Sequence, residues 1–159
     1  MNQPSTSLRV DDTSATIAAA SHQGASRIFV LFTGKTELRW LAWLKPGFRH
    51  CLAVINDGQG WLLFDPLAGY LSIERLAVPA GWDLPGWYQS VGYTVLPATA
   101  HRPARQAPPG PMTCVEAIKR LLGLHKPLII TPHQLYRHLR AQQHQQAGDS
   151  APVTPPHSK

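Results

Sequence analysis

The sequence predicts an α+β domain, and three observations carry that prediction. Residues 50–55 and 60–65 are apolar runs on either side of Asn56, Asp57, Gly58 and Gln59, the pattern of a β-hairpin. Thr113, Cys114, Val115 and Glu116 form a helix-start signal, and Thr131, Pro132, His133 and Gln134 form a second one. With the other candidate elements, the order is strand, helix, several strands, helix, short strand, helix.

The 159 residues, 43% hydrophobic and 15% charged, leave room for one ordinary domain with a modest core. A large multidomain enzyme is excluded. Fifteen prolines and 12 glycines imply a core wrapped in irregular segments, because proline cannot continue either ladder of backbone hydrogen bonds. Residues 1–26, rich in Ser, Thr, Ala and Gln without lasting periodicity, read as a flexible N-terminal arm. Residues 143–159, rich in Gln, Pro and Ser, read as a flexible tail, so the domain is expected over residues 27–142.

Taken in order, residues 27–32 are a strand candidate, and residues 36–44 are compatible with a short helix carrying Leu38, Trp40, Leu41, Trp43 and Leu44, ended by Pro46 and Gly47. In the hairpin, Asp57 and Gly58 suit a two-residue type I′ turn. Asn56 then faces Gln59, Val54 faces Trp61, Leu52 faces Leu63 and His50 faces Asp65. Opposed residues hold their Cβ atoms about 4.5–5.5 Å apart, so His50 and Asp65 become neighbours at the open end. Cys51, Ala53, Ile55, Leu62 and Phe64 point to the other face. Both faces are apolar, so the hairpin should lie centrally in a sheet covered on both sides.

Further on, residues 70–78 read as a strand, 84–90 as a helical turn, 93–99 as a strand and 101–112 as a Pro-rich loop. Thr113 is the expected N-cap, accepting from the Glu116 amide while the Glu116 carboxylate reaches back, which makes Cys114 the first helical residue. Gly123 suits the position just past the helix end. Residues 128–130 suggest a short strand, and a last helix runs from Pro132 to about Gln142.

Cys114 sits where unpaired amides and the helix dipole favour a thiolate, and it begins an inward stripe with Ala117, Ile118 and Leu121. The plain alternative is a small buried cysteine. His50 and Asp65 supply what a thiol nucleophile needs: a base, and a third group that fixes its tautomer. Their plain alternative is a structural hydrogen bond. The catalytic arrangement requires the Cys114 helix to pack on the face bearing His50.

These residues resemble the circularly permuted, NlpC-type branch of the papain-like hydrolases. There a strand-borne His precedes a polar residue on the next strand, and the Cys follows at a helix N-terminus. The matching pieces are Arg49, His50 and Cys51; Phe64 and Asp65; and Thr113, Cys114, Val115 and Glu116. The resemblance implies a papain-like antiparallel sheet packed with helices over residues 27–142. It also implies attack by Cys114 on an amide, ester or thioester, a peptide or acyl substrate, and no cofactor. Such families include cell-wall peptidases, amidases and acyltransferases. Two departures stand out: Cys51 has no role in the pattern, and no dedicated oxyanion side chain is present, which leaves the Cys114 amide as the candidate donor.

Other signals are weaker. The net charge of +6 comes from scattered residues and favours anionic company only slightly. No apolar run reaches the roughly 18 residues of a membrane span. Asp11 and Asp12 occupy a start that lacks a secretory pattern, so residence in the cytoplasm is expected. Cys51 and Cys114 make no disulfide framework, and His133 and His138 are spaced as surface or cap residues, so no metal is expected. Arg137, His138 and Arg140, with His101, Arg102 and Arg105, could form a basic rim, but no nucleic-acid reader motif accompanies them. The tryptophans, Trp61, Trp40 and Trp43 among them, are expected to fill the core. Two alternatives stay open: a papain-like interaction or assembly module without turnover, of phage or mobile-element origin, and a basic nucleic-acid adaptor.

Overall fold

In the computed structural model, which describes residues 26–35, 43–67, 70–103 and 111–149, Val30, Leu31 and Phe32 are buried in succession, as are Cys51, Leu52, Ala53 and Val54. Unbroken burial along a strand requires cover on both faces of a sheet. The strands concerned are β1 (Arg27–Thr33) and β2 (His50–Asn56), joined in one antiparallel sheet by β3 (Trp61–Leu67), β4 (Tyr70–Leu76) and β5 (Thr94–Ala98). The strand order is β4-β3-β2-β1-β5. Among the described residues, three helices, α1 (Leu84–Ser90), α2 (Cys114–Leu122) and α3 (Pro132–Asp149), join the sheet in an α+β fold.

Each face has its own core. Val30, Phe32, Cys51 and Ala53 pack against Val115, Ile118 and Leu122 of α2 and Leu135 and Leu139 of α3. On the opposite face, Leu31, Leu52, Val54 and Trp61 pack with Leu84 and Tyr88 of α1 and with Val95 of β5. The hairpin therefore lies inside a sheet covered on both sides, as expected.

Its register differs from the expected one. Asn56 faces Trp61, Ile55 faces Leu62, Val54 faces Leu63 and Ala53 faces Phe64, so β3 is displaced by two residues. The cause is the loop. A type I′ turn needs positive φ at both central residues, and only Gly58, at φ +85°, adopts it. Instead, Asp57 Oδ1 accepts from the amides of Gln59 and Gly60, both at 2.9 Å, and Asn56 Oδ1 accepts from the Gly58 amide at 2.9 Å. These side-chain acceptors hold residues 57–60 as a longer loop. Because a displacement of two preserves parity, His50 and Asp65 still share a face, now as diagonal neighbours.

The starts and ends of the helices follow local chemistry. Thr113 Oγ1 accepts from the Glu116 amide at 3.2 Å, so Cys114 is the first residue of α2. Glu116 does not reach back; its carboxylate pairs with Lys119 at 2.7 Å and Arg120 at 3.1 Å, cations that lie on its own helix face. The full reciprocal cap forms at α3 instead: Thr131 Oγ1 accepts from the Gln134 amide at 3.3 Å, and Gln134 Oε1 accepts from the Thr131 amide at 3.0 Å. At the end of α2, Gly123 takes φ +68°, its amide donates to Arg120 O and the Leu124 amide to Lys119 O.

Residues 128–130 are not a strand. The Ile129 amide closes a turn onto Lys126 O, and Lys119 Nζ donates to Ile129 O at 3.2 Å. Helix α3 continues past Gln142 to Asp149, with Gln143 Nε2 donating to Pro97 O at 2.8 Å across to β5. Residues 1–25 of the expected arm, 36–42 of the expected first helix, 104–110 of the Pro-rich loop and 150–159 of the tail lie outside the described residues. Among those described, no helix is long and apolar enough to cross a membrane.

A Cβ at position 123 would strike the His101 carbonyl oxygen, and the positive φ adds backbone strain. Gly123→Ala should cost roughly 1–3 kcal/mol in urea unfolding. Gly81→Ala, with open space and no positive φ, should leave the midpoint nearly unchanged.

Candidate active site

The pairing of β2 with β3 covers Ala53–Asn56 and Trp61–Phe64. Beyond Ala53, the β2 residues His50, Cys51 and Leu52 remain paired with β1, while Asp65, Pro66 and Leu67 remain paired with β4. The two strands thus part at one end of the sheet, and Pro66, which has no amide to donate, suits that parting. The N-terminal tip of α2 stands at the opening, where His50, Pro66, Leu67, Thr113 and Cys114 border one cavity.

His50 Nε2–H donates to Asp65 Oδ1 at 2.7 Å. This leaves Nδ1 for Cys114, which borders the same cavity and acts to raise the pKa of the ring. Cys114 also packs against the core cluster that contains Cys51, whose thiol and backbone amide act to lower the Cys114 pKa. The three residues picked out in the sequence therefore stand in series: sulfur, imidazole, carboxylate.

Their arrangement differs from the expected one in an instructive way. The core side chains of α2 pack on the face bearing Cys51, whereas strand alternation puts His50 with Leu52 and Val54 on the opposite face. Cys114 and His50 meet at one cavity at the strand end, where β3 no longer pairs with β2. Cys51, which sequence reasoning left without a role, lies against the sulfur from the other side. The signal was present, since Cys114 begins the inward stripe of α2 and Cys51 points inward from β2. What was missing was the face of the sheet on which α2 packs.

These contacts set the charges. The Cys51 thiol donating to the sulfur is the largest influence lowering the Cys114 pKa; desolvation opposes it, and the His50 hydrogen bond and charge add to it, leaving the thiol at about 4. For His50, desolvation acts to lower the pKa, but the hydrogen bonds to Asp65 and Cys114 together outweigh it and bring the ring to about 9. Burial pushes the Cys51 thiol well above its ordinary value, so it stays protonated and donates. Over the interval between about 4 and about 9, Cys114 is a thiolate and His50 an imidazolium.

The cavity measures about 390 Å³ and is walled largely by apolar groups, Trp43, Leu44, Pro66, Leu67, Met112 and Ile130, with Arg49 also at its border. Trp43, expected in the core, is 77% exposed at this cavity. Trp82 and Trp87 are also exposed, so core filling describes Trp61, which is buried, but not these three. Trp40 lies outside the described residues.

The remaining candidates do not join the site. His133 accepts from Lys45 Nζ at 3.0 Å and lies edge-on to Phe48. Arg140 donates to the Tyr136 hydroxyl at 3.0 Å, and Arg105 lies outside the described residues. Among the described residues, no three His, Cys, Asp or Glu side chains are grouped to hold a metal ion. Comparison with protein-family models, curated proteins and solved structures returned no match.

The shifts carry signs for stability. For Cys114, lowered from 9.0 to about 4, the stabilising contribution is complete above 9.0 and is lost as the pH falls through about 4. For His50, raised from 6.5 to about 9, it is complete below 6.5 and is lost as the pH rises through about 9. Between 6.5 and about 9 the folded ion pair and the unfolded neutral pair hold equal numbers of protons, so the couple leaves stability level there and weakens it on acidification below 6.5.

Alkylation by iodoacetamide reads the thiolate directly. The rate at Cys114 should reach half its plateau near pH 4, the value of the thiol in the fold, and His50→Ala should move that midpoint upward. A midpoint near the free-thiol value of about 8.5 in the unaltered protein would contradict the ion pair.

Proposed function

We propose that the protein is a papain-like cysteine hydrolase or acyltransferase, acting on an amide, ester or thioester through Cys114, His50 and Asp65. The observation that carries this reading is the contact in series of sulfur, imidazole and carboxylate at a helix start beside a cavity. The chain order of His, Asp and Cys and the five-stranded antiparallel sheet support the resemblance to the permuted papain-like branch.

In this reading the Cys114 thiolate attacks the carbonyl carbon, and the charge developing on oxygen is met by the Cys114 amide at the helix N-terminus. His50 gives its proton to the leaving group, forming an acyl-enzyme at Cys114. The neutral ring then takes a proton from water, an alcohol or an amine as that acceptor attacks the acyl carbon, and the thiolate leaves. Asp65 holds the Nε2–H, so that Nδ1 faces the sulfur, and it steadies the imidazolium. The apolar walls formed by Leu44, Leu67, Met112 and Ile130 favour an apolar acyl group over a charged cell-wall peptide.

One observation favours a second reading, a papain-like interaction or assembly module. Tyr70, Leu71 and Ile73 of the edge strand β4 are all exposed, and such an edge invites pairing with another chain.

A series of p-nitrophenyl esters separates the two. Each methylene buried in the cavity is worth about 0.8 kcal/mol, so kcat/KM should rise about fourfold per added carbon until the cavity is full. Cys114→Ala should abolish turnover, and His50→Ala should lower kcat by about 10²–10⁴. Slow hydrolysis that ignores chain length and survives Cys114→Ala would leave the interaction module standing.

A further inference from the structure

We propose that Cys51 is a resolving thiol for Cys114, so that a peroxide converts the site reversibly into a Cys51–Cys114 disulfide. The proposal rests on the thiolate that the functional reading also uses, and it adds the regulation of that site. Cys51 and Cys114 are the chain's two cysteines, far apart in sequence and both free thiols. The fold brings them together: Cys51 belongs to the buried core cluster against which Cys114 packs, and Cys51 is the largest influence on the Cys114 pKa.

Their environments differ as the two halves of such a pair require. Cys114 is partly exposed and borders the cavity, so a small oxidant can reach it. Cys51 is completely buried among Phe32, Ala53 and Ile118, where an oxidant from solvent does not arrive first. A thiolate is the form that attacks a peroxide, and Cys114 is the cysteine held in that form.

The chemistry balances without other reactants. The Cys114 sulfur attacks one peroxide oxygen, the O–O bond breaks, and the departing hydroxide takes the His50 proton and becomes water. The sulfur, oxidised by two electrons, is now a sulfenic acid. The Cys51 sulfur then attacks the Cys114 sulfur, an S–S bond forms, the S–O bond breaks, and the leaving hydroxide combines with the Cys51 thiol proton as a second water. Two thiols and one peroxide yield a disulfide and two waters.

Stabilising the thiolate stabilises the reduced form, which makes the disulfide easy to open by thiol exchange. Without Cys51, the sulfenic acid at Cys114 would be open to further peroxide, which carries it to sulfinic and sulfonic acids that thiols do not reverse. The disulfide thus silences the nucleophile and protects it.

The test is intact-mass analysis of the full-length reduced protein treated with a small excess of hydrogen peroxide, beside Cys51→Ser and Cys51→Ala. The unaltered chain should lose about 2 Da and regain both alkylatable thiols in dithiothreitol, whereas both variants should gain about 32 or 48 Da irreversibly. Accumulation of the irreversible adducts by the unaltered chain, with no loss of about 2 Da that dithiothreitol reverses, would overturn the proposal without needing either variant to fold. Iodoacetamide labelling at pH 6 separates the two ideas. Fast labelling with no loss of mass under peroxide removes only the resolving role, whereas slow labelling removes the thiolate and the functional reading with it.

Discussion

The site depends on two strands parting. Where β2 and β3 stay paired, from Ala53 to Asn56, the sheet is a closed wall with separate cores on its two faces. One step further, β2 follows β1 and β3 follows β4, leaving an opening that the tip of α2 faces. There Cys114, on a helix that packs on one face, shares a cavity with His50, which belongs to the other. The Thr113 cap makes Cys114 the first residue of α2, so the start of the helix, and not its middle, meets the gap.

Holding a thiolate and an imidazolium partly out of water is costly unless each has partners. Here His50 and the Cys51 thiol and amide act to hold the Cys114 sulfur charged, and the ring donates to Asp65 as well. The desolvation that would neutralise both groups is outweighed by these bonds. The same donors that hold the charge keep the sulfur in its reactive form, which couples the chemistry of the site to the contacts that build it. Cys51 is the unusual member: a buried thiol that stays protonated because it is buried, and donates because it is protonated.

Much of this was legible in the sequence because it is governed by local rules. The hairpin, the N-caps at Thr113 and Thr131 and the stop at Gly123 each follow from a few adjacent residues. The relation of His50 to Asp65 also survived an error: the Asn56 and Asp57 side chains displace the register by two, and a period of two keeps parity. The reach of Glu116 was misjudged because Lys119 and Arg120 compete for it. Residues 128–130 form a turn because Lys119, from another element, holds the Ile129 carbonyl. What could not be read was the face chosen by α2. That is decided by Ile118, Leu122, Leu135 and Leu139 packing together across elements, and no local pattern reports it. The role of Cys51 stayed hidden with it.

The reactivity of the site depends on the His50 ring being a cation because a thiolate lies beside it. Nitrogen NMR of the histidine rings, in the protein and in Cys114→Ala, reads this without a substrate. His50 should be doubly protonated at neutral pH and lose its proton near pH 9, and removing the sulfur should bring that titration down. A His50 ring that is neutral at neutral pH, with a titration unmoved by Cys114→Ala, would contradict the ion pair and the reactivity derived from it.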